Sequence, residues 1–434
     1  MNAIIPRSNQ PRIVIIGGGF GGITLAKALR GLPFQVVMID RNNYHTFQPL
    51  LYQVATGGLE PDSIAFPLRK MFSHQDNFVF RLADVQTVDT DAKVLQTSIG
   101  AIRYDYLVMA TGSCTNYFGN KAIETHAIGM KNIPESLDLR SFILQNFEAA
   151  HTEAEVDDRE LLLKFIIVGG GPTGVETAGA LAELKRHVLP SDYPELDLRQ
   201  MEIHLIEAGD RLLGGMSEKS GRDAQEALEK LGVHVLLNTR VTAYDGERVT
   251  ISTGRTLEAS TVIWAAGIKG NVLPGLPETA IDRGQRLAVD AYNRVKDAPD
   301  VFAIGDVALM RTTDYPDGHP QVAPTAIQMA QNLARNLVRL SRGREMQPFV
   351  YFDKGSMATI GRNKAVIDFR SLHLKGFVAW LGWMFVHIMY LIGFRNKAVV
   401  FVNWVWSYFT YDKGTRLIIR PFRRRQPVAE PQHA

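Results

Sequence analysis

Two glycine turns with one grammar set the limits on what this chain can fold into. In "PRIVIIGGGFGGITLAKAL" a short β-branched strand, Ile13 to Ile16, runs into Gly17, Gly19 and Gly22. An amphipathic helix follows, with apolar positions that include Ile23, Leu25, Ala26 and Leu29, and then the strand "FQVVMID", which ends on Asp40. In "LLLKFIIVGGGPTGVETAGALAEL" strand residues through Val168 lead to Gly169, Gly171 and Gly174, again before a helix. Its partner strand "MEIHLIE" ends on Glu207, after an insertion, "LPSDYPELDLRQ". Glycines at this spacing permit a tight turn and a close backbone approach, the helix N-terminus faces a pyrophosphate, and the trailing acid can accept from a ribose hydroxyl. One such turn is weak evidence, because glycine-rich turns are common. Two copies, each inside a β-α-β context, point to two bound dinucleotides.

Further strands agree. "YDYLVMATGS" and "ASTVIWAAGI" are apolar runs that end in small residues, Ala110-Thr111-Gly112 and Ala265-Ala266-Gly267, each downstream of its own glycine turn. "PDVFAIGDVA" closes on Gly305-Asp306. A chain of 434 residues exceeds one ordinary core, so two or three domains are expected. A formal net charge of +3 gives no argument for nucleic acid as a partner. The single cysteine, Cys114, excludes an intramolecular disulfide, a CxxC redox pair and a cysteine-rich metal site, and it points to a reducing compartment. The histidines show no metal-ligand spacing, so no metal is expected. The opening "MNAIIPRSNQPR" lacks the apolar core of a secretory signal, and no export is expected.

With the order of these motifs in view, the chain resembles the two-dinucleotide flavoprotein superfamily, in which an FAD domain is interrupted by an NAD(P) domain and then resumes. The resemblance places FAD on Gly17, Gly19, Phe20, Gly22, Asp40, Arg41, Gln48, Pro49, Ala110, Thr111, Gly112, Gly305, Asp306 and Gln328. It places NAD on Gly169, Gly171, Pro172, Thr173, Gly174, Glu176, Glu207, Ala266 and Gly267. An acid at the end of the ribose strand favours NADH, since a 2′-phosphate beside a carboxylate is repelled, although Arg211 leaves NADPH open. The stretch "NNYHTFQPLLYQVATGGLEPDSIAFPLRK", where disulfide reductases of the superfamily carry their cysteine pair, has none.

More closely, "NYHTFQPLLYQVATGGL", "VGGGPTGVETAGALAEL", "APTAIQMAQN", "KGSMATIGRNKAV" and the tail resemble the type II NADH:quinone oxidoreductases, nearly end to end. That resemblance implies a non-pumping transfer of two electrons from NADH through non-covalent FAD to a membrane quinone. It makes Glu176, Gln328 and Lys354 the candidate catalytic residues, and puts Pro49 and Leu50 beside the isoalloxazine. Ile327 stands where the family pattern has alanine before the glutamine. A homodimer is also implied, peripheral on the cytoplasmic face of the inner membrane. The expected fold is α/β, with an FAD domain over 1–125 and 291–365, an NADH domain over 126–290, and a C-terminal amphipathic helical segment over 366–434 that anchors to lipid.

That last segment contains "GFVAWLGWMFVHIMYLIGF", nineteen residues with one ionisable side chain, His387. A span needs about 20 apolar residues, so length alone does not decide. Between His373 and Arg425 there are nine Lys or Arg against one acid, Asp412, and four of the five tryptophans. A span would carry this basic excess to the far side of the membrane, against the positive-inside tendency. Two helices lying in the interface fit better, with Trp380, Trp383, Trp404 and Trp406 at headgroup depth. Lys375, Arg395, Lys397, Lys413 and Arg416 would then meet anionic lipid. His373 and His387 read as interfacial or packed. Two rivals remain open: a soluble reductase of a small redox carrier, which needs no such tail, and a non-enzymatic flavoprotein that senses NADH.

Overall fold

The computed structural model of the protein describes residues 2–411 and 414–423. Its first part runs β1 (Arg12–Ile16), α1 (Phe20–Ala28), β2 (Gln35–Asp40), α2 (Leu51–Ala55), β3 (Phe78–Leu82) and β4 (Tyr106–Met109). The middle holds β5 (Ile128–Gly129), α3 (Ile133–Thr152), β6 (Lys164–Val168), α4 (Pro172–His187), β7 (Glu202–Ile206), α5 (Glu218–Lys230), β8 (Val233–Leu236) and β9 (Thr261–Trp264). The last part holds β10 (Arg294–Val295), β11 (Ala298–Ala303), α6 (Ala323–Ser341), β12 (Ser356–Thr359), β13 (Ala365–Phe369), β14 (Leu372–Lys375), α7 (Gly376–Tyr390) and α8 (Phe394–Thr410).

The chain forms two compact units, 1–46 with 65–114 and 268–354, and 47–64 with 115–267 and 355–434. The chain passes from one unit to the other at 114/115, inside the strand Ser113–Thr115, and at 267/268, just before the strand Ile268–Gly270. After β9, Gly267 O accepts from Asn116 N at 3.0 Å and Trp264 Nε1 donates to Asn116 O at 2.8 Å, which holds 115–125 in the second unit. Asn271 O accepts from Thr111 Oγ1 at 2.6 Å, which holds the chain after 268 in the first. The tail shares a unit with the second glycine turn, and so does the 47–64 segment.

In the first unit the sheet order is β10-β11-β4-β1-β2-β3, parallel except at β10. In the second it is β5-β9-β6-β7-β8, all parallel. The β-branched runs Ile13–Ile16 and Phe165–Val168 are buried because helices cover both faces of such sheets. Each glycine turn leaves the central strand of its sheet, with strands added on either side, which opens a crevice at the strands' carboxyl ends.

The second unit adds a three-stranded antiparallel sheet, β12-β13-β14, against which α7 packs. The apolar run is one helix and the turn that leads into the next. α7 stops at Tyr390, Leu391 is extended, and Gly393 turns the chain at φ +87° into α8. Fifteen residues reach about 22 Å at helical rise. Among the described residues no helix is long and apolar enough to cross a membrane.

Each tail helix buries one face and leaves the other apolar. Ala379 and Trp383, four apart on α7, are buried, as are Asn396 and Val400 on α8. Outward stand Phe377, Val378, Leu381, Phe385 and Met389 on α7, and Phe394, Phe401, Val402, Val405, Trp406 and Phe409 on α8.

A Cβ on Gly22 would lie 1.9 Å from Gly17 O, and one on Gly174 would lie 1.8 Å from Gly169 O. At Gly19 and Gly171 a Cβ would meet nothing within 4 Å. We therefore expect Gly22→Ala and Gly174→Ala each to cost about 1–3 kcal/mol of stability, read as a lowered denaturation midpoint. Gly19→Ala and Gly171→Ala should leave the ligand-free midpoint close to that of the parent chain.

Candidate active site

The two turns are built alike. Gly17 and Gly169 both adopt φ +110°, and a Cβ on either would lie within 2.4 Å of the carbonyl oxygen of a neighbouring strand end, Ala110 and Ala265 respectively. α1 and α4 begin at Gly19 and Gly171 with no side-chain cap, so their first N–H groups have no side-chain acceptor. The free space beside Gly19 and Gly171 lies where a pyrophosphate would sit against those N–H groups. Asp40 Oδ2 accepts from Gly18 N at 2.6 Å and Oδ1 from Asn42 N at 2.7 Å. Burial raises its pKa, and these backbone donors oppose the rise. Glu207 holds the second turn in the same way, accepting from Gly170 N and, at 2.6 Å, from Gly209 N. Arg211 donates to Gly214 O at 3.2 Å and stands 3.9 Å from Glu218, so its charge has partners within its own loop.

The remaining first-unit residues gather at the strand ends. Ser113 Oγ donates to Asp306 Oδ2 at 2.6 Å, and Gly112 and Gly305 both take positive φ. Phe20 meets His45 edge to face at 5.0 Å, and Arg41 is exposed one residue beyond Asp40. These residues fit FAD, with acids for ribose and ribitol hydroxyls and glycines where backbone must approach. Gln48 and Pro49 lie on a short turn of the second unit, Gln48–Leu50. Gln328 has both ends of its amide engaged: Nε2 donates to Phe352 O and Oε1 accepts from Phe352 N, each at 2.9 Å. It fastens the segment that leads to Lys354, which is exposed.

In the second unit Pro172 and Thr173 are exposed on the first turn of α4, and Thr173 O accepts from Thr177 Oγ1 at 2.6 Å. Phe118 was not singled out in the sequence, yet its ring lies 3.1 Å from where a Cβ on Gly267 would stand, beside Ala266. Two residues past Gly174, Glu176 is 7% exposed. An acid at a helix N-terminus in water has its pKa lowered; here burial pushes it up to about 8. Its Oε1 accepts from Thr359 N at 3.3 Å. Thr359 Oγ1 and Tyr52 OH lie 3.1 Å apart, Gln53 Nε2 donates to Tyr52 OH at 2.9 Å, and Trp404 Nε1 donates to Gln53 Oε1 at 2.8 Å. A cavity of about 140 Å³ adjoins this chain of contacts, walled by Trp380, Trp383 and Met384 of α7, by Trp404 and Tyr408 of α8, and by Glu176 below.

The tail residues depart from expectation. Trp383 is 2% exposed and belongs to the cavity wall, and Trp404 is half-buried through its bond to Gln53. Trp380 is half-buried against Phe377 and Tyr408. Only Trp406, 61% exposed, stands outward, because the helices bury alternate faces. The cations are paired within the chain. Lys375 reaches Asp223 at 2.9 Å, Arg416 reaches Asp192 at 2.7 Å, Arg395 reaches Asp62 at 3.6 Å, and Arg420 pairs with Asp138. Lys397 Nζ donates to Met389 O at 3.0 Å, at the C-terminal end of α7. His387 is packed, its ring stacked 3.9 Å from Trp383. Asp412, Lys413, Arg424 and Arg425 lie outside the described residues.

The family model described as "Pyridine nucleotide-disulphide oxidoreductase" matches residues 11–330, and the "NDH2 C-terminal domain" matches residues 354–410. Two proteins of Mycobacterium tuberculosis, the type II NADH:quinone oxidoreductases NdhA and Ndh, are each 37% identical to this chain over 94% of it, and over 89% and 91% of themselves. The chain belongs to the type II NADH:quinone oxidoreductase family. The fold agrees: the structure of NDH2 from Plasmodium falciparum in complex with NADH superposes with a TM-score of 0.87, covering 95% of this chain and 100% of that one at 21% identity. Within the family fold, the NDH2 C-terminal domain contributes β12–β14, α7 and α8, the elements that cover Glu176.

Because Glu176 is protonated in the folded chain up to about pH 8 and in the unfolded chain only up to about 4.5, its contribution to stability falls as pH rises through that window. The cost is absent below the window and complete above it, on the order of a few kcal/mol. Glu176→Gln should therefore gain in melting temperature over the parent as pH is raised from 5 to 9 (roughly the window that burial opens), as read by differential scanning fluorimetry.

Proposed function

We propose that this chain oxidises NADH and reduces a membrane quinone to quinol without pumping protons. The observation that carries the reading is the cavity over Glu176: its floor is a buried proton-holding carboxyl, and its walls are two helices whose outer faces are apolar. FAD, when bound, accepts hydride from NADH and gives two electrons to the quinone. The first glycine turn, Asp40, the strand end Ala110–Gly112 and Asp306 hold that flavin. The second turn, Pro172, Thr173, Glu207, Ala266 and Gly267 bind NADH. Glu207 beside the turn, with Arg211 engaged elsewhere, supports NADH over NADPH.

Glu176 keeps its proton near neutrality and releases it to an acceptor that takes on negative charge, through the carboxyl oxygen not bonded to Thr359 N. Gln328 positions the 350–354 segment, and Lys354 remains a candidate for proton supply. The purified protein in liposomes should oxidise NADH only slowly until quinone is added. Oxidation indifferent to quinone overturns this reading in favour of a carrier reductase or a sensor. In the main reading, quinone reduction falls as pH rises past about 8, while Glu176→Gln is slower and lacks that limb.

The chain docks on lipid through the outer faces of α7 and α8, as a homodimer peripheral to the membrane leaflet that faces the NADH supply, the cytoplasmic one. Since Lys375, Arg395, Arg416 and Arg420 pair with acids of the same chain, docking rests mainly on apolar area. Phe401→Asp with Trp406→Asp should release the protein from liposomes in a flotation assay, whereas high salt should leave it bound. Analytical ultracentrifugation in detergent checks the dimer.

A further inference from the structure

The cavity beneath α7 and α8 holds hydrogen-bond donors that the chain leaves without a well-formed bond. Trp383 Nε1 is buried and makes no hydrogen bond of good geometry; the chain group it acts on is the Glu176 carboxyl, whose pKa it lowers against the larger rise from burial. His387 offers none: its Nδ1 bonds the Trp383 carbonyl at 2.8 Å while its ring stacks on the indole. On another wall is Arg362, from the loop after β12. Its guanidinium carbon lies 4.4 Å from the ring centre of Tyr408 and 3.8 Å from that of Tyr411, and its Nε and Nη1 are buried without partners. Glu183, the nearest cavity acid, accepts from the Arg362 backbone N–H at 3.5 Å and lies 3.7 Å from His187. Trp383, Glu176, Arg362, Tyr408, Tyr411, Glu183 and His187 all line this cavity, and His387 does not.

A buried indole N–H without a well-formed bond is costly, and a guanidinium more so. Both are held in place, the indole by packing and stacking, the guanidinium by two aromatic rings. The missing partner is a molecule flat enough to lie among Trp380, Trp383 and Tyr408, and able to accept at more than one point. A para-quinone has that form: an aromatic-sized ring with a carbonyl oxygen at each end and no donor to satisfy.

We propose that Trp383 Nε1–H and the Arg362 guanidinium are the two donors that position the quinone head group in this cavity, one to each carbonyl oxygen. The proposal rests on the quinone-reductase reading above. Donors at both oxygens also favour the electron-accepting step, in which the ring gains two electrons and its oxygens take up two protons, because they stabilise charge as it develops. Neither residue exchanges a proton; they are positioning residues.

The test uses full-length protein with bound FAD in detergent. KM is measured for a short-chain quinone and, with ferricyanide as acceptor, for NADH. Trp383→Phe keeps an aromatic ring and removes the N–H. Arg362→Met keeps the stem and removes the donors, and Arg362→Lys restores charge without the fork. Quinone KM should rise roughly tenfold for Trp383→Phe and roughly ten- to a hundredfold for Arg362→Met, with part recovered in Arg362→Lys. These rises should exceed any change in KM for NADH; a merely structural role would move both together with the melting temperature. Unchanged quinone KM in both variants overturns the donor assignment and leaves the quinone-reductase reading intact. A parent protein that does not reduce quinone overturns both. Should the variants not fold, infrared spectra of the parent with quinone carrying ¹³C at its carbonyls decide. Both stretches should lie below their values in lipid, and unshifted stretches overturn the proposal.

Discussion

Backbone packs on backbone where α1 crosses Gly17 and α4 crosses Gly169, with no room for a methyl group at Gly22 or Gly174. That contact fixes the start of each helix against the end of its strand, and with it the direction of the helix's first N–H groups. In the second unit it does more. Glu176 lies two residues beyond Gly174, on a helix whose rotation is already set, so its carboxyl is committed to the side that β12, α2 and α7 cover. The acid is neutral near physiological pH because those elements exclude water from it.

The tail explains how an apolar run of borderline length avoids becoming a span. A helix that buries Ala379 and Trp383 against the rest of its unit cannot present its whole circumference to lipid. The remaining face is apolar, and the docking proposed above, between protein and bilayer surface, satisfies both sides. The basic excess has a matching explanation. Asp62, Asp138, Asp192 and Asp223, all upstream, receive Arg395, Arg420, Arg416 and Lys375. Exposed ion pairs of this kind contribute little each. Together they fix where the tail lies on its unit, and they leave docking to the apolar face.

Much of this was legible in the sequence because it is written in local pattern. The glycine turns, their trailing acids Asp40 and Glu207, and the short reach of the tail all follow from spacing. The orientation of side chains on α7 and α8 does not. When nearly every residue of a helix is apolar, periodicity cannot tell which tryptophan faces inward, and the burial of Trp383 and the bond from Trp404 to Gln53 are set by packing instead. Pairings such as Arg416 with Asp192 join residues more than two hundred positions apart, which no window can see. Tyr52, Thr359 and Arg362 lie inside recognisable motifs, but their roles depend on which neighbours the fold brings to them.

In the proposed docked state, lipid contact reaches the chemistry through α8. Trp404 sits on α8, the helix that carries exposed Trp406 and Phe409, and its indole N–H is committed to Gln53. Gln53 in turn donates to Tyr52, whose hydroxyl meets Thr359, and the Thr359 backbone N–H bonds Glu176. The links run from 2.8 to 3.3 Å, and Tyr52, Thr359 and Glu176 at the inner end are buried, so moving α8 by about an ångström would leave a polar group without its partner, at a cost of about 1–3 kcal/mol. α8 and the carboxyl of Glu176 are therefore ends of one hydrogen-bonded structure. In the proposed docked state, a bilayer that holds α8 in place also holds the geometry around that carboxyl.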